Sequence, residues 1–154
     1  MNKYMQEAIK MAEINCQNKF KDGGPFGAVI VKDGKIIASS RNTVFKNVDP
    51  TAHAEVNVIR QAAKILNTYD LSDCELYTNC FPCPMCLSAI IWANIKKIYY
   101  GNTKEDAEDI GFRDNYIYKM MNNLDKNEVI EFVSIERKHC LKVFEDFKDN
   151  PNLY

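Results

Sequence analysis

The chain has 154 residues, enough for one domain with a sizeable core. With 46% apolar and 27% charged residues it is not a disordered polypeptide, and it has no run of about 18 apolar residues to span a membrane. Twenty basic residues against 21 acidic ones give a formal charge of −1, and no basic cluster stands out, Lys96-Lys97 being only a pair; that balance disfavours a nucleic-acid partner.

Taken in order, Met5, Ala8, Ile9, Ala12 and Cys16 recur at helical spacing, predicting a helix over 4–19 with Cys16 packed as a small apolar residue. Asp22-Gly23-Gly24-Pro25 breaks it. Phe26 to Val31 reads as a strand, Asp33-Gly34 as a two-residue hairpin turn, and Ile36 to Ser40 as the returning strand. Asn42 to Pro50 is polar and loop-like. A helix is expected from about Ala52 to Leu66, with Val56, Ile59, Ala63 and Leu66 as its apolar stripe.

Glu75 to Thr78 is a short strand. Pro84 suits the first turn of a helix running to Ala93, apolar nearly all round and so destined for the core or a subunit interface. Lys97 to Tyr100 is another strand. Residues 102–114 read as a surface loop, Tyr116 to Met121 as a helix, Glu131 to Ile135 as a last strand and Val143 to Lys148 as a last short helix. This order specifies a single three-layer α/β/α domain over residues 1–154, with a central mixed sheet of about five strands. The hairpin makes the first strand pair antiparallel, and helical crossovers are expected to make the later pairs parallel.

The informative stretch is Pro82-Cys83-Pro84-Met85-Cys86, read with His53-Ala54-Glu55 upstream. His53, Cys83 and Cys86 offer three nitrogen and sulfur ligands, the set of a catalytic zinc with a fourth position open, one Zn²⁺ per subunit. Cys83 is placed to cap the helix that Pro84 opens, where the helix end favours thiolate. His53 and Glu55 are about 200° apart on a helix and reach one site only if the helix presents its N-terminus to it. Glu55 is then close enough to shuttle protons without being a ligand.

Two other readings stay open. Cys80 extends the array to Cys80-x-x-Cys83-x-x-Cys86, which with His53 could make a closed structural Cys₃His site in a non-enzymatic interaction module. Cys-x-x-Cys alone also suits a redox pair. The absence of an apolar secretory core after Met1 points to free thiols or ligands rather than disulfides, and to the cytoplasm. His139 reads as a surface residue.

Gly23-Gly24-Pro25-Phe26-Gly27-Ala28, Asn42, Asp49-Pro50-Thr51-Ala52-His53-Ala54-Glu55 and Pro82-Cys83-Pro84-Met85-Cys86 resemble the cytidine deaminase-like superfamily. Gly111-Phe112-Arg113-Asp114, Tyr116-Ile117-Tyr118 and the final Tyr154 resemble its branch of small zinc-type bacterial guanine deaminases. The resemblance implies hydrolytic deamination of guanine to xanthine and ammonia, with Glu55 as principal proton shuttle and Asp114 as a second acid. It places Asn42, Phe26, Ala54 and Tyr154 against the purine. It also implies a homodimer in which the C-terminal segment, about 130–154, is exchanged. Cytosine, guanosine and tRNA adenosine are rival substrates within the superfamily. One departure is Phe81, where members often carry an acid before Pro-Cys.

Overall fold

The structure, a computed structural model, describes residues 1–124 and 129–148. The side chain of Asn2 caps α1 (Lys3–Gln17), accepting from the N–H groups of Tyr4 and Met5. Ala8, Ala12 and Asn15 are the buried positions of α1, one row at i, i+4 and i+7. Cys16, expected inside, falls one residue off that row and is exposed.

β1 (Gly27–Lys32) and β2 (Lys35–Arg41) form the hairpin. Asp33 and Gly34 both take positive φ, 49° and 72°, as a type I′ turn requires. The segment read as a loop holds one helical turn, α2 (Val44–Asn47). Then come α3 (Ala54–Leu66), β3 (Cys74–Cys80), α4 (Pro84–Trp92) and β4 (Ile98–Asn102).

The sheet order is β2-β1-β3-β4. β1 runs antiparallel to both neighbours, and only β3–β4 is parallel. The expectation that every later pair is parallel therefore fails at β1–β3. The α3 crossover links β2 to β3, which run the same way, but β1 lies between them and opposes both.

Both sheet faces are covered, which is why β1 reads as an unbroken apolar run. Val29, Val31 and Tyr77 pack with Ala8 and Tyr4 of α1. Ala28, Ile30 and Leu76 pack on the other face with Val58 and Ala62 of α3 and Ile90 of α4. Truncating a side chain as buried as Leu76 to alanine costs about 2–5 kcal/mol. A Cβ on Gly27 would meet the Ala8 carbonyl oxygen at 2.1 Å, so only glycine lets α1 lie this close to β1. The apolar α4 buries one side, while Ile91 and Trp92 at its end are exposed.

Beyond β4 the expected loop contains α5 (Lys104–Asp109). Thr103 caps it, its hydroxyl accepting from Asp106 N–H while the Asp106 carboxylate accepts from Thr103 N–H. α6 (Asp114–Met121) and α7 (Arg137–Phe147) follow. Among the described residues the sheet has four strands rather than about five. Residues 131–135, read as a strand, pair with no edge and leave β4 as the sheet's border. Phe132 in this segment is 70% exposed, and Phe144 on α7 is 75% exposed. No described helix is long and apolar enough to cross a membrane.

Candidate active site

α3 and α4 aim their N-termini at one point. His53 is the N-cap of α3 and Cys83 the N-cap of α4, with Pro84 as the first helical residue and Cys86 in the first turn. His53 Nδ1 lies 3.6 Å from Cys83 Sγ and 3.5 Å from Cys86 Sγ. Tetrahedral zinc with bonds of about 2.3 Å to sulfur and about 2.05 Å to nitrogen separates N from S by about 3.6 Å. The donor set and its spacing therefore fit zinc with a fourth position open. Among the described residues, these three are the group whose ligand atoms lie within 4.8 Å of one another.

Cys80 is not in that group. Its Sγ faces the Thr103 carbonyl oxygen at 3.6 Å, and burial pushes its thiol up to about 12. This geometry speaks against the closed Cys₃His arrangement.

The electrostatics suit a cation. A hydrogen bond from Cys86 and the adjacent His53 hold the Cys83 thiol well below its usual range, which favours the thiolate form that binds metal. Cys86, hydrogen-bonded to Cys83 and buried, is pushed up. The Cys83 sulfur raises His53. Glu55, in the first turn of α3, is 4% exposed, and burial pushes its carboxyl up. Its Oε2 lies 3.4 Å from Cys86 Sγ, and its Oε1 accepts from the Thr78 hydroxyl at 3.2 Å. A carboxyl beside the ligand triad, outside it and raised by burial, is suited to general acid–base work.

A cleft of about 480 Å³ opens beside His53, lined among others by Gly24, Asn42, Phe45, Pro50 and Phe112. Asn42 is buried, and its Oδ1 accepts from the N–H groups of Gly24 and Val44 at 3.3 and 3.1 Å. With its oxygen so engaged, the Asn42 amide has N–H donors to offer a ligand. Phe26 meets Phe112 edge to face, centroids 4.7 Å apart. Asn79 fixes the Phe26 loop from both ends, accepting from Gly27 N–H and donating to Pro25 O, each at 2.9 Å.

Asn15 supports the same wall from α1. Its Nδ2 donates to Gly24 O and Asn42 O at 2.8 Å each, and its Oδ1 accepts from Arg41 Nε at 2.9 Å. Arg41 in turn pairs with Asp22 at 2.5 Å. A polar residue on the buried row of an otherwise amphipathic helix was the available signal for this network.

Asp114, at the start of α6, shares a small pocket with His53, Glu55 and Phe112, and burial raises its carboxyl. Ala54 is fully buried with its side chain in the core. What it can offer the cleft is its backbone N–H at the first position of α3. Tyr154 lies outside the described residues. Phe81 lines the small pocket and packs edge-on to Tyr100, centroids 5.1 Å apart, while the Tyr118 hydroxyl donates to Pro82 O at 2.7 Å. Aromatic packing thus occupies the position where an acid was the familiar residue.

The family model of the cytidine and deoxycytidylate deaminase zinc-binding region matches residues 1–102. The chain belongs to this deaminase family. Guanine deaminase of Bacillus subtilis is 48% identical over 130 residues, 84% of this chain and 83% of the relative. The X-ray structure of Bacillus subtilis guanine deaminase superposes with a TM-score of 0.87 at 43% identity, covering 100% of this chain and 98% of that one. The tRNA-specific adenosine deaminase of Buchnera aphidicola is 34% identical over 82% of this chain and 81% of the relative. For this deaminase domain, the family's zinc-binding region and the His53, Cys83 and Cys86 donor set agree on one zinc per subunit.

Proposed function

We propose that this deaminase hydrolyses free guanine to xanthine and ammonia, consuming one water per turnover. The observation that carries the reading is the full-length match to guanine deaminase in sequence and fold, with the ligand triad and Glu55 converging beside a base-sized cleft. The tRNA deaminases are more distant, and a formal charge of −1 gives no basic footprint for an RNA.

Zinc bound by His53, Cys83 and Cys86 supplies Lewis-acid activation of water near neutral pH. Glu55 takes a proton from the attacking water and delivers it to the ring nitrogen next to the reacting carbon. Asp114, half-buried and raised by burial, is placed to help protonate the departing amino group. Asn42 donates N–H to an acceptor on the purine edge, and the Ala54 N–H adds a donor at the positive end of α3. Phe112 lines the cleft beside the ring, and Phe26, packed edge to face on Phe112, lines the small pocket that holds His53 and Glu55. A free purine base as substrate is in keeping with the cytoplasmic location expected from the sequence.

The assay is ammonia release from zinc-loaded protein, with guanine, cytosine and adenine offered separately. Turnover of guanine alone is expected; turnover of another base in its place overturns the substrate.

We also propose a homodimer that exchanges its C-terminal segments, about 130–154. Exposed Phe132, Val133, Ile135, Val143 and Phe144 give that segment an apolar surface for a second copy to cover. By the sequence resemblance, Tyr154 closes the neighbour's cleft. Deleting residues 152–154 should cut turnover with zinc content unchanged, and an unaffected rate counts against the lid.

A further inference from the structure

The geometry points to Thr78 as a positioning residue for the proton shuttle, an inference that rests on the deaminase reading above. Thr78 lies on β3 in the buried row Cys74, Leu76, Thr78 and Cys80, the face that packs toward α3 and α4. It pairs with Ala28 on one side and Tyr100 on the other, so its backbone place is fixed by both neighbouring strands. The row is otherwise apolar or thiol, and Thr78 brings the one hydroxyl into it. That hydroxyl is fully buried and donates to Glu55 Oε1 at 3.2 Å.

The consequence lies in the two oxygens of Glu55. A terminal carboxylate torsion is broad and roughly two-fold, so packing alone selects its orientation weakly. Thr78 holds Oε1 as an acceptor on the sheet side. Oε2 is thereby turned to the ligand triad, where it lies 3.4 Å from Cys86 Sγ. The proton in transit is carried on Oε2, and Oε1 stays tied. Thr78 does not line the cleft, and its hydroxyl bonds to Glu55 rather than to a ligand, so its effect belongs to the chemical step and not to base binding.

Thr78→Val keeps the shape and removes the donor; Thr78→Ser keeps the donor and removes the methyl. Both are compared with wild type, zinc-loaded, for zinc per chain, thermal midpoint, kcat and KM on guanine, or on whichever base the wild type turns over. T78V is expected to hold one zinc, with KM unchanged and kcat reduced about ten- to hundred-fold, the scale of a misoriented catalytic group. T78S is expected to recover most of that loss. A T78V kcat within about two-fold of wild type, or a loss that falls on KM, overturns the role; so does a T78S as slow as T78V. A wild type silent on every base sinks the deaminase reading instead. The crystal structure of zinc-loaded T78V then decides separately: a rotated or split Glu55 carboxylate supports the positioning role, and an unmoved one overturns it. Should T78V not fold, Thr78→Ala carries the same comparison.

Discussion

Replacing Asn15 by leucine tests whether the α1 network holds the wall of the cleft proposed to bind the base. The substitution keeps the side chain's approximate size and removes three hydrogen bonds. The Gly24 carbonyl retains a second partner, Phe26 N–H at 2.9 Å, so its loss is worth about 1 kcal/mol. The Asn42 carbonyl, left short of a partner beside a buried residue, costs about 1–3 kcal/mol. Arg41 Nε loses a charge-assisted bond, discounted to about 1 kcal/mol because the guanidinium side chain is 21% exposed and still pairs with Asp22. Burial of leucine carbon returns about 1–2 kcal/mol. The net loss is about 1–4 kcal/mol, a substantial part of a domain stability of about 5–15 kcal/mol. Urea unfolding of zinc-loaded protein measures it as a lower midpoint at unchanged slope. Because Asn15 anchors the backbone of Asn42, KM for guanine should also rise, by about ten-fold or one lost oriented hydrogen bond. A stability change below about 0.5 kcal/mol together with an unchanged KM would refute the reasoning.

Glu55→Gln should keep one zinc per chain and lower kcat by about 10²–10⁴-fold, measured as ammonia release against metal content; near-wild-type turnover would remove Glu55 from the chemistry. Cys80→Ser should leave zinc bound, since its sulfur faces Thr103 and lies outside the donor group, and metal analysis after dialysis checks it. Asp22→Asn gives a pH signature. The hydrogen bond from Arg41 holds the Asp22 carboxyl below its usual range. Its stabilisation is present above the unfolded carboxyl pKa of about 3.9 and is lost as pH falls through the lower folded value. Thermal melts should therefore show the variant less stable near neutrality, with the gap closing in acid.

Much of the site was legible because its signals are local. Pro84 marks a helix start, which makes Cys83 the N-cap and sets both thiols at one helix end. Asp33-Gly34 fixed the hairpin for the same reason. Non-local features were harder to read. Asn15 and Thr78 are single polar residues on buried rows, and their meaning depends on which strand or loop lies opposite. Residues 131–135 read as a strand on their own, but a strand exists only where an edge receives it. Thr103-x-x-Asp106 did announce α5, yet the surrounding charge made the segment look like loop.

The β1–β3 pairing also bears on the order in which this protein folds. Ala28 lies opposite Thr78, with the whole of β2 and α3 between them in the chain. Contacts this distant in sequence are closed late, because the chain's entropy must be overcome before they return any stability. His53 and the two cysteines sit at the ends of helices that this pairing sets in place. Zinc should therefore bind a nearly finished fold rather than nucleate it, and a nascent chain would acquire its metal only after β3 has joined the sheet.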